Sequence, residues 1–185
     1  MAGLPHYQNS KSSISKYEPV YLNQFEVSIT PPAGIAGASI LLEHVVTVGG
    51  LEVDKVPEDQ VTQKYKFAKR NYAGAKPSTT GMELTMDFTI NLNDANSMYV
   101  FKTLRQWCDL IYNPLTGAMG LKKDYTGTIV ISVFNKQGDV FKRIVCRDCF
   151  PSKPINEMAL DYSADDVYKI AGFGWVVDYW EDLFL

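Results

Sequence analysis

The sequence predicts a mainly β protein of the α+β kind: an antiparallel sandwich or barrel with one packed helix. Three observations carry this. Met82 to Leu92 alternates apolar and polar residues without a fault, the pattern of a strand between a core and water. The stretch Ile155 to Glu181, INEMALDYSADDVYKIAGFGWVVDYWE, reads as a closing hairpin. In it Met158, Leu160 and Tyr162 alternate, an acidic break follows, and Phe173, Trp175, Val177 and Tyr179 share one face of a long strand. Only residues 94–112 carry a convincing helical period.

In chain order, residues 1–21 are polar and serine-rich and are expected to be a flexible arm. Residues 22–185 then form a single domain. NQFEVSIT places Phe25, Val27 and Ile29 on one face, and Pro31-Pro32 stops that strand. Leu41 to Val48 is a second strand, favoured by Val45, Val46 and Val48. Residues 51–81 are expected to be an extended loop insertion around the weakly alternating QVTQKYKFAKR, too long to be inert surface. The helix can be capped by Asn93 or Asp94, with Phe101, Leu104, Cys108 and Ile111 near a 3.6 period and Trp107 beside them. Pro114 and Gly117 end it. Gly127 to Asn135, a turn at Asn135-Lys-Gln-Gly138-Asp, and Val140 to Phe150 form a hairpin, with Ile129, Ile131 and Val133 on one face. There is no internal repeat.

Composition excludes several functions. A length of 185 residues with 46% hydrophobic and 21% charged residues fits one soluble domain with a real core. A net charge of −3 gives no general reason for tight binding to nucleic acid or anionic membranes. No apolar run approaches the ~20 residues of a membrane span, and no secretory h-region follows Met1. The three cysteines, Cys108, Cys146 and Cys149, are expected to be reduced thiols made in a cytoplasm.

The candidates for chemistry are thin. Cys146-x-x-Cys149 has metal-like spacing, but no second pair completes a site. On a regular strand, positions i and i+3 would also point to opposite faces. His44 lies in an apolar run without a nucleophile nearby. Asp165-Asp166, with Asp161, suits a solvated turn better than a calcium site. No phosphate loop, dinucleotide fingerprint or hydrolase motif occurs, so no enzyme activity and no cofactor are expected. Lys64, Lys66, Lys69 and Arg70, interleaved with Tyr65, Phe67 and Tyr72, fit either a subunit interface or a single-strand nucleic-acid surface. The acidic balance of the chain favours the interface.

With these residues in place the chain resembles the tail-tube (inner tube) proteins of contractile-tailed bacteriophages and related contractile injection systems. The resemblance rests on NQFEVSI, LTMDFTI, the Trp-containing helix FKTLRQWCDLI, the pair of strands around TIVISVFNKQGDVF, Phe150-Pro151, and above all LDYSADDVYKIAGFGWVVDYWE. It implies a structural virion subunit, made in the host cytoplasm. Copies would form hexameric rings, each a large β-barrel, that stack into the inner tube of a contractile sheath. Its partners would be itself, the sheath protein, and the baseplate and tail-terminator proteins. Genomic DNA would pass through the lumen without sequence-specific binding. Glu83, Thr85, Asp87, Thr89 and Asn91 are then expected to face the channel. Lys64, Lys66, Lys69, Arg70 and Tyr72 would make contacts between subunits or rings. Alternatives are the tube of a phage-like injection or type VI secretion system, a baseplate tube-initiator or, in another class, a β-barrel nucleic-acid-binding module.

Overall fold

The computed structural model describes residues 21–35, 45–51, 60–74, 81–90, 98–155 and 167–185. Several expectations lie outside them: the arm up to residue 20, the caps Asn93 and Asp94, His44, Asn91, and the Met158–Asp166 half of the closing hairpin.

The described elements are β1 (Phe25–Thr30), β2 (Val45–Gly49), β3 (Gln60–Lys64), β4 (Lys69–Ala73), β5 (Met82–Thr89), α1 (Tyr99–Ile111), α2 (Lys122–Tyr125), β6 (Gly127–Phe134), β7 (Val140–Pro151) and β8 (Lys169–Phe184). Six strands form one antiparallel sheet in the order β1-β6-β7-β8-β5-β2, while β3 and β4 pair only with each other. The sheet curls into a half-barrel. Tyr21, Leu22 and Phe25 at the β1 edge and Val48 and Leu51 at the β2 edge line one cavity of about 220 Å³, so the two edges of the sheet face each other.

The alternation in β5 becomes burial without change: Met82, Leu84, Met86 and Phe88 are sealed off from solvent. From the neighbouring strands come Val27, Ile29, Ile129, Ile131, Ile144, Phe173, Trp175 and Val177. The helix α1 closes this core. Its buried face is Val100, Thr103, Leu104 and Trp107, the i, i+3, i+4, i+7 stripe of an amphipathic helix. This differs from the expected stripe: Phe101, Cys108 and Ile111 are half-buried flanks. Trp107 fixes the phase, because it is the largest apolar group available. Its Nε1–H donates to the Tyr125 carbonyl at 2.6 Å, and its ring meets Trp175 edge-on at 4.9 Å. It lies directly over Gly127, where a Cβ would come within 2.5 Å of the indole and of the Thr30 carbonyl. Glycine at 127 is what lets helix and sheet approach.

Beyond the helix, Asn113 accepts hydrogen bonds from the Leu115 and Thr116 amides and organises the turn after Tyr112. The β6–β7 turn forms where expected, with the Asn135 carboxamide oxygen accepting from the Gln137 and Asp139 amides.

The long strands break phase at one level. Asp148 in β7 adopts φ 54° and inserts an extra residue opposite β6. Arg147 and Asp148 both face solvent there, as do Asp178 and Tyr179 on the adjacent strand. Trp180 rather than Tyr179 therefore turns inward, which corrects the expected Phe173-Trp175-Val177-Tyr179 face. The same bulge puts Cys146 and Cys149 on one buried face, not on opposite faces. Burial pushes the Cys146 thiol up to about 12 and raises Cys149 as well, with the neighbouring Cys146 adding to it. These are inert, protonated core thiols. They should resist iodoacetamide in the native state and react after unfolding, as mass spectrometry would record. Because the folded-state pKa lies above the unfolded one, their contribution is complete below about pH 8.5. It is then lost as pH rises, by about 1.4 kcal/mol per pH unit for each thiol.

Candidate assembly surfaces

Two surfaces hold the residues singled out by sequence. The first is the face of the curled sheet turned away from the core. Glu83 and Thr85 are exposed on it, and Thr89 is half-buried. Glu26, Ser28 and Thr30 of β1 are in the same phase, opposite Ser132, Val130 and Thr128 of β6. This face carries hydroxyls, small apolar groups and a few carboxylates, and also two cations, Arg143 opposite Ser132 and Lys169 opposite Thr89.

Asp87 belongs to this face but does a different job. On one side Ala171 and Gly172 of β8 oppose the single residue Asp87; on the other, β2 carries an extra residue at Val46. Between these two bulges the Asp87 carboxylate accepts from the Gly172 amide at 2.7 Å and from Thr47 Oγ1 at 2.8 Å. Gly172 has φ 63°, a conformation that disfavours any side chain there. The carboxylate thus ties β2, β5 and β8 together, which alternation alone could not reveal. Asp87→Ala should cost about 1–3 kcal/mol, read as a lower urea midpoint with unchanged slope. Thr85→Ala, on the same face, should cost far less.

The second surface is the β3–β4 hairpin, which the sequence suggested as an irregular loop. Its ten strand residues are all exposed. Lys64 and Lys69 stand directly opposite each other, Gln63 pairs with Arg70, and Val61 with Tyr72. Tyr65 and Ala68 exchange backbone hydrogen bonds around a turn formed by Lys66 and Phe67. Phe67 at that tip is 92% exposed. Thr62 donates to Asn71, the Tyr65 hydroxyl donates to Gln63 at 2.8 Å, and it lies 3.4 Å from the Tyr72 hydroxyl. The bond to Tyr72 raises the Tyr65 pKa. Arg70 sits 5.8 Å from the Tyr65 ring centre and Lys66 5.5 Å from that of Phe67. The structure thus brings Lys64, Lys66, Lys69, Arg70 and Tyr72 together on one exposed two-stranded element.

Sequence reasoning also missed a third exposed group, Leu115, Met119 and Leu121, on the loop after α1. Pro114 and Gly117 had signalled only that the helix ends. Among the described residues no three His, Cys, Asp or Glu side chains are placed to hold a metal ion, and no helix is long and apolar enough to cross a membrane.

No protein-family model matches the chain, and no curated protein matches it by sequence. Solved structures do match. A chain of the sheath-tube complex of the extracellular contractile injection system PVC, in its extended state, superposes with a TM-score of 0.61 at 15% identity. The match covers 94% of this chain and 97% of that one. The tube-terminating cap of the anti-feeding prophage gives 0.61 at 12% identity, covering 91% and 93%. The PVC sheath/tube terminator gives 0.60 at 14% identity, covering 90% and 98%. At such identities the likeness establishes the fold.

Proposed function

From the tail-tube fold of this chain we propose a non-enzymatic structural role: a subunit of hexameric rings that stack into the inner tube of a contractile sheath. The observation that carries this is the end-to-end match, which covers more than nine-tenths of both chains. The sheet supports it. Its edges β1 and β2 each pair with one neighbour among the described strands, and unpaired edges are a liability unless another copy covers them. Pairing such edges around a ring closes a large barrel.

In that barrel the face bearing Glu83, Thr85 and Thr89 lines the channel, while the face under α1 is packed. Asp87 also points there, but its carboxylate is engaged by Thr47 and Gly172. A wall of hydroxyls with carboxylates and the cations Arg143 and Lys169 is mixed in charge rather than a continuous basic track, so genomic DNA leaving a phage would pass without sequence-specific binding. The β3–β4 hairpin supplies contacts between rings through Lys64, Lys66, Lys69, Arg70 and Tyr72. Sheath, baseplate and terminator proteins complete the set of partners.

A second reading has its own support. Cap and terminator chains match nearly as well as the sheath-tube chain, so the subunit could instead end or start a tube. Negative-stain electron microscopy of purified protein separates the two: long hollow filaments of uniform width mark a tube subunit, and single rings mark a cap or initiator. Monomers at every concentration would count against both. A map of the filament with Glu83 and Thr85 away from the lumen would overturn the channel assignment.

A further inference from the structure

We propose that the β3–β4 hairpin binds the surface of an anionic lipid bilayer, with Phe67 at its tip seated in the headgroup layer. In a stack of rings, a hairpin that meets a further ring is covered. On a free subunit, or on a terminal ring, it is open to such a surface. The stack belongs to the tube reading; the lipid contact does not depend on it.

The register of the hairpin sorts its side chains. Directly opposed residues share a face, and neighbours along a strand alternate. Lys64 and Lys69 therefore lie on one face, while Arg70 and Tyr72 lie on the other. Tyr65 joins the second face through its hydroxyl, which donates to Gln63 and meets that of Tyr72. Phe67 stands apart from both faces at the apex, 92% exposed, with the Lys66 ammonium 5.5 Å from its ring centre. Read from the tip inward, an apolar ring and Lys66 lead, the Lys64–Lys69 pair follows, and Arg70 comes next. That is the layering of a bilayer interface, where anionic headgroups overlie acyl chains. A stacking platform for bases would instead need open aromatic faces along the strands, and the Tyr65 ring already has Arg70 5.8 Å from its centre.

Charge points the same way. Residues 60–74 hold these four cations and no acid, a local charge of +4 in a chain whose net charge is −3. Like charges directly opposed, as Lys64 and Lys69 are, destabilise a hairpin. Among the described residues the salt bridges are Lys122–Asp178, Lys142–Asp182 and Arg147–Glu181, none of them on the hairpin. Anionic headgroups supply the missing countercharge. A screening length of about 10 Å at 0.1 M salt confines the attraction to the hairpin, so the net charge of the chain does not prevent it. Strands of five residues fall short of the about 9–11 needed to cross a bilayer, so the hairpin rests on the surface.

The test uses the full chain and the variants Lys69→Gln/Arg70→Gln, Phe67→Ala and Phe67→Trp, each shown by thermal melting to be folded. Flotation is measured with vesicles of phosphatidylcholine alone or mixed in equal parts with phosphatidylglycerol. It is run at about 0.05 M and about 0.5 M NaCl, where the screening length changes severalfold. Wild type is expected to bind only vesicles containing phosphatidylglycerol and to lose at least about tenfold in affinity at the higher salt. Lys69→Gln/Arg70→Gln should bind about 25-fold more weakly, about fivefold for each charge. Phe67→Ala should bind about tenfold more weakly. The three native tryptophans are buried, so Phe67→Trp adds an exposed one whose emission should shift to the blue on vesicles. Absence of binding to the anionic vesicles, equal binding by the charge-depleted variant, or a bound Phe67→Trp chain without a blue shift would each overturn the proposal. Hairpin-dependent retention on oligothymidine without vesicle binding would overturn it in favour of nucleic acid. Tubes formed by a chain that ignores vesicles would overturn this inference alone. Vesicle binding by a chain that never assembles would overturn the tube reading and leave this one standing.

Discussion

Deletion of residues 60–78 is expected to abolish assembly while leaving the subunit folded. The hairpin's strand residues are all exposed, and β3 and β4 pair with nothing but each other. Removing them takes away no core burial, and shortening a surface connection changes closure entropy only slightly. Thermal or urea unfolding should therefore shift by no more than about 0.5 kcal/mol, the range of ordinary surface changes. Electron microscopy should show particles no larger than single rings where the intact chain gives longer ones. Tubes of normal length from the deleted chain would remove the hairpin from the contact between rings. A large loss of stability would mean that the hairpin is part of the domain after all.

Trp107→Ala should be the most damaging single substitution in the core. Truncating a sealed tryptophan costs about 3–5 kcal/mol. Three interactions disappear together: the edge contact with Trp175, the hydrogen bond to the Tyr125 carbonyl, and the packing over Gly127. That is comparable with the whole stability of a small domain, and the expected outcome is little soluble protein. Trp107→Phe keeps a ring over Gly127 but not the donor. It should fold with a loss nearer 1–2 kcal/mol, the cost of leaving the Tyr125 carbonyl unpaired. Near-wild-type stability for Trp107→Ala, by urea titration, would show that α1 does not close the core.

The parts of the fold legible in the sequence are those set by a single period. β5 could be read residue by residue because its apolar face meets one core and its polar face meets solvent. The turn at Asn135–Asp139 was legible because its own side chain holds it. What escaped depends on local breaks in that period. Asp148 enters a left-handed conformation without being glycine, so nothing marked the bulge that moves Trp180 inward and gathers Cys146 and Cys149. The hairpin escapes because neither of its faces is buried, leaving only a weak alternation, and because its turn lacks glycine. For the candidate surfaces, the basic residues fall on one hairpin because they are close in sequence. The sequence could not show that Asp87 is tied to Thr47 and Gly172, which lie 40 and 85 residues away.

The order β1-β6-β7-β8-β5-β2 places the last described strand in the interior of the sheet. β8 joins the half made of β1, β6 and β7 to the half made of β5 and β2, and Trp175, the partner of Trp107, is on it. A nascent chain that has not yet delivered residues 169–184 holds two separate sheet fragments and an uncovered helix. Neither fragment presents the curved rim that a neighbouring copy would recognise. In the proposed tube role, the rim that a second copy would meet therefore depends on β8 having joined the two halves.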